Sequence, residues 1–96
     1  MMKLIFSPLA AADIDQIYDY TETNWGWKQA EDYVFGMRDA CEAFSQGLKR
    51  GKTLENIAPG YEALPFQSHF IIYRYEAQSI VIIRILHRRM NLSAHL

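Results

Sequence analysis

The stretch that most constrains this chain is residues 79–86, SIVIIRIL, an apolar and largely β-branched run broken only by Arg84. Side chains branched at Cβ sit well on a pleated, half-buried surface, so the run predicts one central strand. It is far too short to cross a bilayer, which takes about 20 apolar residues in a helix. His87, Arg88 and Arg89 stand directly at its exit, and from Ala77 to the C-terminus there are three arginines and no acid. A rigid strand that delivers positive charge to its rim suits a binding site. The same pattern also describes a core strand followed by a solvated tail.

Ninety-six residues predict a single domain, residues 1–96, with one modest core. Half of the residues are hydrophobic and 14% are aromatic, so the chain is expected to fold. The net charge of −1 is unevenly spread: residues 1–50 carry eight acids and five bases, residues 51–96 three acids and five bases. Such a balance excludes a general nucleic-acid binder and leaves room for a local basic site. Cys41 is the only cysteine, which excludes an intramolecular disulfide and fits a reducing compartment. The start, MMKLIFSPLAAADID, has only a three-residue apolar run before Ser7-Pro8 and is not read as a signal peptide. The expectation is a cytoplasmic protein without membrane contact.

Lys3 to Phe6 predicts a short strand. Ser7-Pro8 then predicts a helix start, because serine accepts from free first-turn amides and proline at the first helical position forfeits no bond. The first helix, about residues 8–24, places Ala10, Ile14, Ile17, Tyr18, Thr21 and Trp25 on one stripe. Its other side carries Asp13, Asp15, Asp19 and Glu22, read as a solvated acidic face and not as a metal or acid–base site. Gly26, between Trp25 and Trp27, marks the turn. A second helix, about residues 28–46, has the clearest stripe: Ala30, Tyr33, Val34, Met37, Ala40, Cys41, Phe44, then Leu48. Cys41 within it reads as packing, since a reactive thiolate needs an electropositive, partly open setting. Gly36 suggests a close approach of the first helix. Residues 48–60, with Lys49, Arg50 and Lys52, read as an exposed connection whose bases can meet an acidic partner.

From Tyr61 the period becomes strand-like over residues 61–66, 69–76 and 79–86, with short polar breaks that predict an antiparallel meander. His69, at a strand start, is expected to be exposed. The last hairpin leaves two registers open: pairing Glu76 with Ser79 puts Arg74 and Arg84 on opposite faces, whereas a turn one residue longer puts them side by side. The fold class is therefore α+β, in the order β-α-α-β-β-β, with a helix hairpin packed on a small, mainly antiparallel sheet.

This order, with particular residues at its junctions, resembles the ParE branch of the RelE/ParE toxin superfamily. The resemblance rests on Ser7-Pro8 with Ala11, Asp13 and Ile14; on Ile17-Tyr18-Asp19-Tyr20; on Trp25-Gly26 with Ala30 and Tyr33; on Pro59-Gly60; on Ile72-Tyr73-Arg74; and on Ile83 to Met90, IRILHRRM. It implies the toxin of a type II toxin–antitoxin pair, a non-catalytic inhibitor that poisons DNA gyrase and is silenced by a ParD-like antitoxin. No cofactor, metal or sequence-specific nucleic-acid contact is expected. Arg84, His87, Arg88, Arg89 and Met90, with Arg74 as a further member, are the expected target-facing patch. Arginine suits it because its planar fork binds carboxylate or phosphate at two points. Tyr18, Trp25, Lys49, Arg50, Lys52 and Tyr73 are the expected antitoxin contacts, their bases steering an acidic segment.

The resemblance also admits a RelE-type ribosome-dependent mRNA endonuclease. Such an enzyme needs a general base, a general acid and cations on the phosphate. Where ribonuclease members commonly carry an arginine, two residues before a Val-Tyr-like pair, this chain has Phe70, which favours inhibition by binding. The bases often found after the Pro-Gly pair in ParE proteins are replaced by Tyr61-Glu62-Ala63, which motivates a third reading, a detoxified antitoxin-binding homologue.

Overall fold

Ser7 and Pro8 turn the chain from strand to helix as their chemistry predicts: the Ser7 side chain accepts from the Ala10 amide at 3.0 Å, and Pro8 opens the helix. The computed structural model describes residues 2–47 and 50–96. It runs β1 (Lys3–Phe6), α1 (Pro8–Trp25), α2 (Trp27–Ser45), β2 (Lys52–Thr53), β3 (Glu62–Phe66), β4 (His69–Glu76), β5 (Ser79–His87) and a short α3 (Leu92–His95). The two long helices join at Gly26, whose φ of 93° no side-chain-bearing residue adopts readily. The five strands form one sheet in the order β1-β5-β4-β3-β2, with β1 parallel to β5 and every other pair antiparallel. The predicted meander and helix hairpin are present. The structure adds β2, because Lys52 and Thr53 of the expected loop pair with Ala63 and Glu62.

One face of the sheet takes the helices. Ala10, Met37, Cys41 and Phe44 pack there on Leu64, Ile71, Tyr73, Ile80, Ile82 and Ile85. Cys41 lies wholly inside, and burial pushes its thiol up to about 12, as befits a packing residue. The other face carries a smaller cluster, Ala63, Ile72 and Leu86, covered by Leu54, Tyr61, Phe70 and Leu92. Two expectations about packing change. Gly36 faces the Phe66 ring of β3, at 3.2 Å from where a Cβ would stand, and not the first helix. Trp25, placed on the buried stripe by its spacing, is 59% exposed, as the last residue of α1 before the Gly26 turn. Leu48, the last member of the predicted stripe of the second helix, lies outside the described residues.

The returning segment is fastened by a polar network. The Tyr73 hydroxyl donates to Glu62 Oε1 at 2.7 Å and accepts from the Gly51 amide at 2.7 Å, while Arg50 donates to Glu62 Oε2 at 3.0 Å. Gly51 passes so close to β3 that a Cβ there would stand 2.3 Å from the Ala63 carbonyl oxygen. Replacing it forces backbone apart. Gly51→Ala is expected to lower stability by about 2–3 kcal/mol in denaturant unfolding, whereas Gly47→Ala, which meets no neighbour, costs only its backbone strain.

Candidate functional site

β1 ends at Phe6 opposite Ile82, so the continuing half of β5 has no strand on that side. The start of α1 supplies the missing partners. The Ser7 amide donates to the Ile82 carbonyl at 2.9 Å and the Ser7 hydroxyl to the Ile83 carbonyl at 2.7 Å. One turn on, Asp13 accepts from Arg84 Nε at 2.8 Å, Arg84 Nη2 at 2.9 Å and the Ile85 amide at 2.9 Å. The Arg84 and Asp13 side chains are only 19% and 11% exposed. These bonds to Asp13 hold the Arg84 guanidinium's pKa above its usual value. Two sequence expectations are thereby corrected. Asp13 is a buried acceptor and not part of a solvated acidic face, and Arg84 is spent internally and leaves the target-facing patch.

The hairpin register combines both alternatives. Near the turn Glu76 pairs with Ser79 and Arg74 with Val81; a bulge between Ile72 and Tyr73 then skips Ile83, so Ile72 pairs with Arg84. Arg74 alternates with the buried Tyr73 and lies on the outer face with Ile72, opposite which the bulge sets Arg84, but the Arg84 guanidinium is drawn to Asp13 of α1. No double-arginine site forms. Arg74 instead pairs with Glu76, its guanidinium 5.8 Å from the Tyr61 ring centre.

Beyond the bulge β5 delivers the rim. The Arg88 amide donates to the Ser68 carbonyl at 2.9 Å, Arg88 Nε donates to the Gln67 carbonyl, and its guanidinium lies 5.1 Å from the Phe70 ring centre. Phe70 thus serves as a platform for a cation. Arg88, Arg89 and Met90 are exposed and His87 is half-buried. The Arg89 amide donates to His87 Nδ1 at 3.1 Å and the Met90 amide to the His87 carbonyl at 3.0 Å, which shapes the turn. The Arg89 guanidinium has no bonded partner among the described residues.

His69, expected to be exposed, is half-buried and stands opposite His87 with ring centres 5.3 Å apart. Its Nδ1 is 2.6 Å from the Tyr33 hydroxyl, which also accepts from the Ser68 amide at 3.2 Å. Burial and, secondly, the charge of His87 lower His69 to about 4, so it is neutral near pH 7. A neutral imidazole accepts well from Tyr33, whose own pKa burial raises. No spacing rule exposed this cluster, since Tyr33, His69 and His87 come from three separate elements.

The expected antitoxin contacts scatter. Trp25 and Lys52 are exposed and Tyr18 is half-buried. Arg50 is exposed but tied to Glu62 and 5.2 Å from the Tyr75 ring centre. Lys49 lies outside the described residues. Tyr73 is removed from the set, because it is wholly buried against Phe44 at 4.7 Å between ring centres.

A helix hairpin on a mixed five-stranded sheet, with a cationic rim beyond an interior strand, defines a toxin fold of the RelE/ParE superfamily. Residues 4–92 match the family described as "ParE toxin of type II toxin-antitoxin system, parDE". Toxin ParE1 of Mycobacterium tuberculosis is 32% identical over 98% of this chain and 97% of its own, and toxin ParE1 of Caulobacter vibrioides is 38% identical over 91% and 90%. The chain belongs to the ParE family of type II toxins. Among solved structures, that titled "Chromosomal ParDE TA system from P. aeruginosa" matches with a TM-score of 0.80 and 26% identity over 91% of this chain and 96% of that one. The Staphylococcus aureus YoeB dimer matches with a TM-score of 0.62 and 18% identity over 91% and 97%, a likeness of fold.

Removing one partner of the buried Asp13–Arg84 pair strands the other. Asp13→Asn is expected to cost on the order of 3 kcal/mol in chemical unfolding, and much of that cost is expected to vanish in the Arg84→Met background. His69 adds a pH dependence. Its folded pKa lies below the unfolded value of 6.5, so between 6.5 and about 4 the unfolded chain binds more protons and stability falls as pH falls. Allowing for its half-exposure, roughly 1–2 kcal/mol should be lost across that window, and His69→Phe should flatten the slope in pH-dependent thermal unfolding.

Proposed function

We propose that this protein is a non-catalytic toxin that binds and poisons DNA gyrase and is neutralised by a ParD-like antitoxin. The observation that carries the reading is the rim at the end of β5. Arg88 is seated on Phe70 and on the Gln67 carbonyl, Arg89 projects beside it, and both follow a strand clamped by Ser7 and Asp13. A guanidinium group held in place, as that of Arg88 is, recognises carboxylates or phosphates with little ordering cost, and Arg89 adds a second charge beside it. Phe70, which occupies the position where a ribonuclease would carry a phosphate-binding cation, can neither bind phosphate nor move a proton. The ParDE system to which the P. aeruginosa relative belongs supports a ParD-like partner. His87, Arg88, Arg89 and Met90 are the target-facing residues of this proposal; Arg74, on the outer face, contributes at most at its edge.

The purified protein should block supercoiling by gyrase. Arg88→Ala with Arg89→Ala should lose most of that block, at least about 10-fold in potency, while its unfolding midpoint stays close to that of the parent. Undiminished inhibition by the double variant would remove the rim from the mechanism.

One observation favours a second reading. The His69–His87 pair beside Arg88 brings two imidazoles and a cation together, which is what a RelE-type mRNA endonuclease would use. In a translation reaction the endonuclease would leave cut message, and His87→Ala would abolish the cuts; intact message at growth-arresting doses excludes it.

A further inference from the structure

Arg88 takes its position from the turn between β3 and β4, since its amide and its Nε end on the carbonyls of Ser68 and Gln67. That turn is exposed and holds Gln67 at a φ of 48°, a left-handed conformation that a residue bearing a side chain adopts at a cost. Such a conformation persists where the surroundings over-determine it. Tyr33 of α2 supplies that determination. Its hydroxyl accepts from the Ser68 amide at 3.2 Å and donates to His69 Nδ1 at 2.6 Å. Its ring meets Phe66, the last residue of β3, and His69, the first of β4, edge to face with centres 5.4 and 5.5 Å apart. One side chain therefore touches the turn and both strand ends that flank it.

The Ser68 amide and the Gln67 carbonyl are the two ends of one planar peptide group, and in a trans peptide they point in opposite directions. Tyr33 binds the N–H end and Arg88 Nε the C=O end, so any rotation of this peptide releases both. Each bond also polarises the other through the shared group. We infer that Tyr33 is a positioning residue of the rim: it holds the Gln67–Ser68 peptide in the orientation that fastens Arg88, and thereby presets the guanidinium that the rim offers to its target. The inference rests on the target reading above and adds to it a residue of the helix hairpin that lies outside the rim. His69 takes part as the acceptor that orients the Tyr33 hydroxyl and leaves its oxygen turned to the Ser68 amide.

The test is Tyr33→Phe, which keeps the ring beside Phe66 and His69 and removes only the hydroxyl. Two readouts are taken on the purified full-length protein: the nuclear magnetic resonance signal of the Arg88 Nε–H, and inhibition of gyrase supercoiling. The expected result is at least about 10-fold faster solvent exchange at Arg88 Nε and a loss of about 5-fold or more in inhibitory potency, with the Arg89 Nε signal unchanged. Ile80→Val, which trims the core near the opposite end of β5, is the control: it should lower the unfolding midpoint and move neither readout. Equal losses in both variants would mean that lowered stability alone is being read, and would overturn the assignment. So would an Arg88 signal, or an inhibition, that Tyr33→Phe leaves unchanged. Should the variant unfold, the parent still decides, because its Ser68 amide should exchange at least about 10-fold more slowly than an unprotected one; free exchange there would overturn the inference. A parent that does not inhibit gyrase would defeat the target reading, and the Arg88 signal would then by itself decide whether Tyr33 positions the rim.

Discussion

The structure depends on how the first turns of α1 complete the edge of β5. A strand paired on one side only, with its other backbone edge under a helix, would leave donors and acceptors buried without partners. Ser7 and Asp13 answer that need at Ile82, Ile83 and Ile85, and Asp13 simultaneously compensates the guanidinium of Arg84. The net stability of a buried ion pair is modest, because desolvation offsets attraction. Its consequence for geometry is larger. Three donors converge on one carboxylate in a single arrangement, at the edge of β5 that β1 leaves open. The clasp by Asp13 and the bond from the Arg88 amide to Ser68 together fix the direction in which the chain leaves β5.

That constraint separates two surfaces. The rim of His87 to Met90 sits at the far end of β5, seated on the turn between β3 and β4. A groove lies along β1 and the flank of α2, with Asp15, Asp39 and Glu42 around the single base Arg38, and no rim residue lines it. The electrostatics of the two differ in sign, guanidinium groups at one and carboxylates at the other. The uneven distribution of charge between the two halves of the chain is therefore organised in space, acids on the helix hairpin and bases on and beyond the sheet.

Much of the architecture was legible because it follows from local chemistry. The Ser7-Pro8 start, the stripe from Ala30 to Phe44 and the two-residue breaks after Phe66 and Glu76 each carry a preference that the fold honours. The candidate site was legible only in part. Arg88, Arg89 and Met90 were readable as a rim because they directly follow the strand. Arg84 was misleading, since nothing near it in sequence shows that Asp13, 71 residues away, will neutralise it. Tyr73 misled in the opposite way: an aromatic that looks suited to a surface is wholly buried once Glu62 and Gly51 occupy its hydroxyl.

The amino-acid sequence by itself determined β1, the two long helices, the three-strand meander, their order and the basic end of the chain, because periodicity, capping and composition act over a few residues. Only the tertiary structure decided which charges remain free. A single skipped residue at Ile83 pairs Arg84 with Ile72 and His87 with His69, and of the two arginines on that face Asp13 takes up Arg84 while Arg74 pairs with Glu76. Side-chain direction in a sheet reverses with every residue, so one bulge reassigns every group beyond it, and its position depends on a helix that packs only after the chain has collapsed.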